Sequence, residues 1–250
     1  MLRSIEKSLT DISNPRAFVR TGPTAGMVTR LADGVWWFDL QGVNAYLLED
    51  RDGYTLVDTG MPWHRRRLAR GVQTVAGSPA AIDRVLLTHA DFDHAGGLDL
   101  RGLDATVYLG VEDEPFLSGR QRPAWGTPKR ALQQLTGLVQ RAPDGPVKTV
   151  ADGETVGGFT AYHTPGHTPG HTCFIHEELS VAMLGDLVRE RDGAFDVPPG
   201  FLNWDHDRAR ESIASFTDRA PAFDIACPGH GSPVVSEGSE RLAACSLSSE

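Results

Sequence analysis

The residues best suited to chemistry are crowded into residues 88–97, with the sequence THADFDHAGG. His89, Asp91, Asp93 and His94 place two imidazoles and two carboxylates within six positions, directly after the apolar run 85–87. This pattern predicts a strand, a short loop and a helix, with the four side chains at the carboxyl end of the strand. Imidazole nitrogen and carboxylate oxygen suit divalent ions such as Zn, Fe(II) and Mn(II). The alternative is a polar turn whose histidines cap a helix.

Three later segments also end a predicted strand with a possible metal ligand. His167 lies in HTPGHTPGH (residues 163–171), where proline and glycine restrict the backbone and present the imidazole at low entropic cost. Asp186 follows the strand 181–184, and His230 follows the strand 223–227 in CPGHG. Four such strand ends in one chain favour a metal centre over an accidental set of turns.

Together and in this order, these motifs resemble those of the metallo-β-lactamase superfamily, which includes hydroxyacylglutathione hydrolases and acyl-homoserine lactonases. The resemblance covers most of the chain, from VDTG (residues 57–60) to PGHG (residues 228–231). It implies an α/β fold, namely a four-layer αββα sandwich with a two-metal site at the edge of the sheets. The alternation of short strands and helices agrees with such layers.

The resemblance assigns the ligands by position. The implied ligands are His89 and His167 for the first metal, Asp93, His94 and His230 for the second, and Asp186 as a bridge between the two. Asp58 corresponds to a structural acid near the site. The implied cofactors are two divalent metal ions, with zinc as the first choice. Asp93 is the implied catalytic residue, because it could bind the second metal and also orient the nucleophile or carry a proton.

Asp91 departs from the family pattern His-x-His-x-Asp-His, in which the second histidine stands at this position. A carboxylate reaches less far than an imidazole, so we expect the first metal to shift, to be bridged by water or to bind weakly. If Asp91 is a ligand, the set contains three carboxylates, which moves the metal preference from zinc towards iron or manganese. Flavodiiron proteins resemble this arrangement, with the longer glutamate at the position. His163 and His171 are the alternatives for supplying the missing imidazole.

These features predict a metal-dependent hydrolase that attacks an ester, lactone, thioester or related acyl substrate with a metal-activated hydroxide. An iron-dependent oxidoreductase on the same fold, of the dioxygenase or diiron type, is the second hypothesis and rests on Asp91. The third is a binding or scaffold protein with a degraded site. Apolar and aromatic side chains near the strand ends are candidate pocket walls for a small-molecule substrate. They are Met61, Trp63, His64, Phe116, Trp125 and residues 201–204.

Composition restricts the partners and the compartment. The chain has 250 residues and a net charge of −9, which argues against a nucleic-acid partner because phosphate binding needs clustered lysine and arginine. No apolar run is long enough for a membrane span. Three cysteines without close spacing argue against a disulfide framework. We therefore expect a cytoplasmic protein without a membrane partner. The family resemblance implies a monomer or homodimer.

The domain organisation follows from turn residues and periodicity. Residues 1–25 form a loosely ordered lead-in, residues 26–245 one domain with a lid-like insert at 111–150, and residues 246–250 a tail. Helices are predicted at 62–76, 129–140, 207–219 and 237–244. Strands are predicted at 27–31, 35–40, 44–49, 54–58, 82–88, 105–109, 155–156, 159–163, 172–176, 181–184 and 223–227. His176 and His206 are expected at the surface.

Overall fold

The structure is a computed structural model that describes residues 27–121, 143 and 145–247. Seven strands form the first sheet and lie side by side in chain order. They are β1 (Val28–Ala32), β2 (Val35–Asp39), β3 (Asn44–Asp50), β4 (Gly53–Val57), β5 (Ile82–Leu86), β6 (Thr106–Gly110) and β7 (Val147–Val150). Strands β1 to β4 are antiparallel, whereas β4 to β7 run parallel to one another. The parallel strands of this sheet need longer connections than the antiparallel ones. These connections carry Asp58 and the predicted ligands at 89–94.

The second sheet has the strand order β14-β11-β10-β9-β8. Its strands are β8 (Thr155–Val156), β9 (Phe159–His163), β10 (Thr172–His176), β11 (Val181–Gly185) and β14 (Ile225–Pro228). Neighbouring strands are antiparallel except for the parallel pair β11 and β14. A separate hairpin is formed by β12 (Arg189–Arg191) and β13 (Ala194–Asp196).

Five α-helices accompany the sheets in the described part of the chain. They are α1 (Arg65–Ala76), α2 (Phe92–Ala95), α3 (Glu114–Leu117), α4 (His206–Arg219) and α5 (Gly238–Leu247). Helix α1 follows a short 3-10 turn, Pro62–His64, and ends at Gly77, whose left-handed φ of 77° allows its N–H to bond Gln73. Helix α4 begins where the Asp205 carboxylate accepts the N–H of Arg208, which satisfies one free donor of the first turn.

The layers follow from the two-residue period of the strands. In β3, Leu47 packs on the outer side of the first sheet in a cluster with Leu68 and Val72 of α1. Its neighbours Tyr46 and Leu48 point the opposite way and pack between the two sheets. Outside the second sheet, side chains of α4 and α5 complete a third buried cluster. The order is therefore helix, sheet, sheet, helix, and the predicted αββα sandwich is confirmed.

Several local features differ from the sequence prediction. Strand β7 lies inside the segment predicted as a lid-like insert, yet it forms the edge of the first sheet. The prediction that His176 lies at the surface was wrong, because it is buried and pairs with Asp50 across the two sheets at 3.0 Å. Helix α5 continues to Leu247, into the predicted tail. The predicted lead-in 1–25 and the helix 129–140 lie outside the described residues.

None of the helices in the described segments is both long enough and apolar enough to cross a membrane. Cys173, Cys227 and Cys245 are all buried, and Cys173 and Cys227 are free thiols.

Candidate active site

The site lies where the carboxyl ends of five strands meet. In the first sheet β4 and β5 are parallel, so Asp58 and His89, which follow them, lie at the same edge. In the second sheet β9, β11 and β14 share one direction, so the residues that follow them, His167, Asp186 and His230, also lie at one edge. The two edges adjoin, since the N–H of Thr172 donates to the carbonyl of Thr88 at 2.8 Å. Strand order and strand direction thus assemble residues that are far apart in the chain.

The first group of candidate ligands consists of His89, His167 and Asp186, whose ligand atoms lie within 4.8 Å of one another. Asp91 contacts this group, because its Oδ2 is 3.2 Å from Nε2 of His167 and 3.6 Å from Nε2 of His89. The shorter carboxylate therefore reaches both imidazoles. The expected shift or weakening of the first metal stays a prediction.

The second group consists of Asp93, His94 and His230. Asp93 and His94 are neighbours on α2, and Oδ2 of Asp93 is 3.4 Å from Nε2 of His230. Asp186 lies between the two groups. Its Oδ1 is 3.3 Å from His94 Nε2, and its Oδ2 is 3.3 Å from His230 Nε2 and 3.4 Å from His167 Nε2. The seven residues predicted as ligands are thus all brought together.

Distances and burial test whether these residues fit metal ions. Bonds of about 2.1 Å in tetrahedral geometry place neighbouring ligand atoms about 3.4 Å apart. The separations of 3.2 to 3.6 Å around His89, His167 and His230 match this spacing. In the described part of the chain, Nε2 of His89, Nε2 of His94 and Oδ1 of Asp186 are buried without a hydrogen-bond partner. Such atoms cost about 1–3 kcal/mol each when left unsatisfied, so the donor set fits divalent cations.

Each of the four imidazoles is held through Nδ1, which leaves Nε2 directed at the site. His94 Nδ1 contacts Asp58 Oδ2 at 2.8 Å, and His89 Nδ1 contacts the hydroxyl of Thr88 at 3.0 Å. His167 Nδ1 contacts Asn203 Oδ1 at 3.0 Å. His230 Nδ1 contacts the Gly42 carbonyl at 2.6 Å. Such partners fix the ring orientation and tautomer of a metal-binding histidine.

The carboxylates and imidazoles shift one another's pKa. Burial opposes the charge on Asp186, but the nearby His230, His94 and His167 outweigh it and hold the pKa of Asp186 well below its usual range. Asp186 in turn raises the pKa of His230 to about 10. Burial also opposes a charge on His94, but Asp186, Asp58 and Asp93 raise the pKa of His94 well above its usual value. A metal ion must displace these protons, so its affinity falls as the pH falls.

The loop that carries His230 is held by a buried amide. Asn44 donates from Nδ2 to the carbonyls of Pro228 and Gly231 at 2.9 and 2.8 Å, and its backbone N–H donates to Gly229. Gly229 passes so close to the centre that a Cβ there would overlap Asp186 Oδ1 and His94 Cε1. Only glycine can therefore occupy this position without moving the ligands.

The other histidines proposed to replace the missing imidazole have different partners. His171 is buried, and its Nε2 accepts the N–H of Asp186 at 3.1 Å, so that lone pair supports the backbone of a candidate ligand. Burial and the nearby His89 and His167 lower the pKa of His171 well below its usual value, which agrees with a neutral acceptor. His163 Nε2 contacts the Pro169 carbonyl at 2.9 Å.

Sequence reasoning missed the roles of Asn44, Asn203 and Asp113. Asn203 was noted only as part of a pocket wall, but it bonds His167 and His206. His206, expected at the surface, is half-buried through this contact. No periodic pattern or motif marks these residues, because each of them also bonds a residue far away in the chain.

Aromatic side chains stand beside both groups. Trp63 is 66% exposed and packs edge-on against Phe92, which lies between Asp91 and Asp93. Phe116 packs against Trp204, whose N–H donates to the His167 carbonyl at 3.1 Å. Other residues of the predicted walls behave differently. Phe201 is exposed, His64 is buried, and Trp125 lies outside the described residues.

A four-layer sandwich with clustered histidines and aspartates at the edges of both sheets defines a metal-binding α/β protein. The family model described as the metallo-beta-lactamase superfamily matches residues 39–235, and the chain belongs to this superfamily of metal-binding hydrolases. The match spans every candidate ligand.

Three relatives extend the comparison. YobT of Bacillus subtilis (strain 168) is 30% identical over 212 residues, covering 80% of this chain and 87% of YobT. YflN of the same organism, named a probable metallo-hydrolase, is 26% identical and covers 91% of this chain and 93% of YflN. An atrochrysone carboxyl ACP thioesterase of Aspergillus fumigatus is 31% identical over 192 residues, which are 70% of this chain and 38% of that protein.

Solved structures share the fold. The metallo-beta-lactamase family protein TTHA1429 of Thermus thermophilus superimposes with a TM-score of 0.67 at 25% identity, covering 88% of this chain and 80% of that one. TTHA1623, in a di-iron-bound form, has a TM-score of 0.57 at 30% identity, covering 77% of this chain and 90% of that one.

Asp58→Asn is expected to weaken metal binding by about 10- to 100-fold, because an amide accepts through its oxygen only. Asp58 accepts the Thr88 N–H on one oxygen and contacts the Thr88 hydroxyl and His94 Nδ1 with the other. Its φ is 56°, and asparagine tolerates this left-handed region, so backbone strain should contribute little. Competition with a chromophoric chelator measures the affinity. Wild-type affinity in the variant would show that Asp58 does not support the ligands.

Proposed function

We propose that this protein is a two-metal hydrolase of a small acyl substrate such as an ester, lactone or thioester. The observation that carries the proposal is the position of Asp186, whose Oδ2 lies 3.4 Å from Nε2 of His167 in the first group and 3.3 Å from Nε2 of His230 in the second. A carboxylate so placed is suited to bridge two cations. Zinc is the first choice for both, and His89, His167 and Asp91 would hold one ion while Asp93, His94 and His230 would hold the other.

When bound, the ions supply a water of lowered pKa and an electrophile for the substrate carbonyl. The residues around them hold the reacting groups in place. Asp93 faces the open side of the site, with 30% of its side chain exposed. Partial burial opposes its charge, but His94 and His230 outweigh this and lower the pKa of Asp93, so it is a carboxylate near neutral pH. As a carboxylate it can accept a hydrogen bond from the attacking water and orient it.

Two pairs of aromatic side chains are candidate contacts for the substrate. Trp63 with Phe92 and Phe116 with Trp204 provide aromatic surfaces beside the two groups, which suits the acyl chain or ring of a small molecule. The similarity to an ACP thioesterase of Aspergillus fumigatus adds support for thioesters among the possible substrates. We infer a small-molecule substrate, acted on by a monomer or homodimer.

Removing the metal is expected to stop hydrolysis. Protein purified without chelator or metal-binding tag should contain about two ions per chain by elemental analysis. Dialysis against a chelator should reduce turnover of an ester, lactone and thioester panel to background, and added zinc should restore it. Unchanged turnover by metal-free protein would reject the proposal.

An iron-dependent oxidoreductase is the second candidate. Asp91, Asp93 and Asp186 bring three carboxylates to the centre, and oxygen ligands shift metal preference towards iron and manganese. TTHA1623, 30% identical, has been solved in a di-iron-bound form. Oxygen consumption with a thiol persulfide by iron-loaded protein, absent after zinc loading, would support this function. Inertness of the iron-loaded protein would remove it.

A further inference from the structure

Asp113 is a fully buried aspartate that contacts the loops of both sheets at the first group. It lies just after β6 and precedes α3. Its Oδ2 accepts the N–H of Ala90 at 2.9 Å and the hydroxyl of Thr168 at 2.8 Å, and its Oδ1 accepts the N–H of Gly170 at 2.7 Å. Three donors from two separate loops thus converge on one carboxylate.

Both loops carry candidate ligands next to these donors. Ala90 stands between His89 and Asp91, and Thr168 follows His167. A single oxygen of Asp113 therefore joins the two loops at the place where Asp91 Oδ2 approaches His167 Nε2 to 3.2 Å. Among the contacts described, no residue of the second group bonds Asp113 directly. Asp93 and His94 lie on α2, where His94 contacts Asp58, and His230 contacts the Gly42 carbonyl.

The packing around Asp113 leaves little freedom for the link. A Cβ on Gly170 would overlap the backbone nitrogen and side chain of Asp113, so the two chain segments are in direct contact. The backbone N–H of Asp113 donates to the Gly110 carbonyl at 3.1 Å, which ties the backbone of Asp113 to the end of β6. The residue that joins the two loops is therefore itself anchored on the first sheet.

We propose that Asp113 is a positioning residue for the first metal, which fixes the distance between the Asp91 loop and the His167 loop. The inference rests on the proposed two-metal function. The shorter Asp91 makes this role important, because a carboxylate in place of an imidazole can meet its partner ligands only if the loops are held close together.

The substitution Asp113→Asn tests this role while keeping the size of the side chain. A carboxylate accepts through both oxygens, whereas an amide accepts through one and donates through its nitrogen. Asparagine must therefore lose either the bond from the N–H of Gly170 or the bond from the N–H of Ala90. Asp83→Asn is the matched control, because Asp83 also accepts a backbone N–H, that of Tyr54 at 2.7 Å, at the ends of β4 and β5 opposite to the site.

Zinc affinity is measured by chelator competition on the full chain. It is measured in two background variants, each of which disables one of the two groups. His230→Ala disables the second group, so the remaining ion reports the first. His89→Ala disables the first group, so the remaining ion reports the second. Adding Asp113→Asn is expected to weaken zinc about 10- to 100-fold in the His230→Ala background and by less than about threefold in the His89→Ala background. Asp83→Asn should change neither affinity.

Three results would overturn the inference. The first is that Asp113→Asn leaves zinc affinity unchanged in the His230→Ala background. The second is that it weakens zinc equally in both backgrounds. The third is that zinc is lost only because the Asp113→Asn protein unfolds at the temperature of the titration, as its thermal melt would show. The proposed function has its own test in the same titration. If the native chain takes up no zinc, the two-metal hydrolase and the inference both fail. If the native chain binds zinc and Asp113→Asn has no effect, only the inference fails.

Discussion

Asp186→Ala is expected to abolish hydrolysis, with kcat/KM reduced at least about 1,000-fold, which corresponds to about 4 kcal/mol of lost transition-state stabilisation. The reason is its place between the two groups, where its oxygens lie 3.3 to 3.4 Å from three imidazoles. Without it, both candidate sites lose a ligand, and two cations at close range lose the anion that offsets their repulsion. Turnover of the acyl panel and metal content measure the effect together.

The fold should survive this change, because Asp186 follows β11 and its backbone is held by His171. Asp218→Ala, at an exposed position of α4, is the matched control and should keep full activity and metal content. Circular dichroism melts compare the two variants with the native chain. Full turnover in a folded Asp186→Ala protein would remove the two-metal assignment.

Asp91→His is expected to raise the affinity of the first ion for zinc at least about 10-fold, since an imidazole replaces a carboxylate in a site that already contains His89 and His167. The net charge of the ligand set becomes less negative by one. The metal preference of the first site should therefore move from iron and manganese towards zinc. Asp91→Ala should instead weaken the first ion by about 100-fold or more, because the contacts of 3.2 and 3.6 Å to the two imidazoles are lost.

Competition titrations with zinc, iron(II) and manganese(II) measure both variants. Asp104→His, at an exposed position between α2 and β6, adds the same imidazole away from the site and controls for adventitious binding. If Asp91→His and Asp91→Ala both keep the native affinities and the native metal preference, Asp91 is not a ligand. The oxygen-rich argument for iron would then have no basis.

The sequence by itself determined the ligand types and the elements that carry them. Strand ends followed by glycine and proline are local patterns, and a strand of period two or a turn such as HTPGH can be identified from a few neighbouring residues. The layers were also predictable, because alternating apolar residues require two sheet faces and covering helices. Convergence of the seven predicted ligands follows from parallel strand direction, which the order of strands and helices already favours.

Tertiary structure alone decided what holds these ligands. Asp113 meets Thr168 across 55 positions, and Asn44 meets Pro228 across 184 positions. Such side-chain bonds to distant loops leave no periodic trace in the sequence. The burial of His176 could not be predicted either, because its partner Asp50 lies on the other sheet. Strand β7 was missed for the same reason, since its place at the sheet edge depends on pairing with β6 and not on an apolar pattern of its own. Local chemistry thus selects the ligands, and long-range packing sets the distances between them.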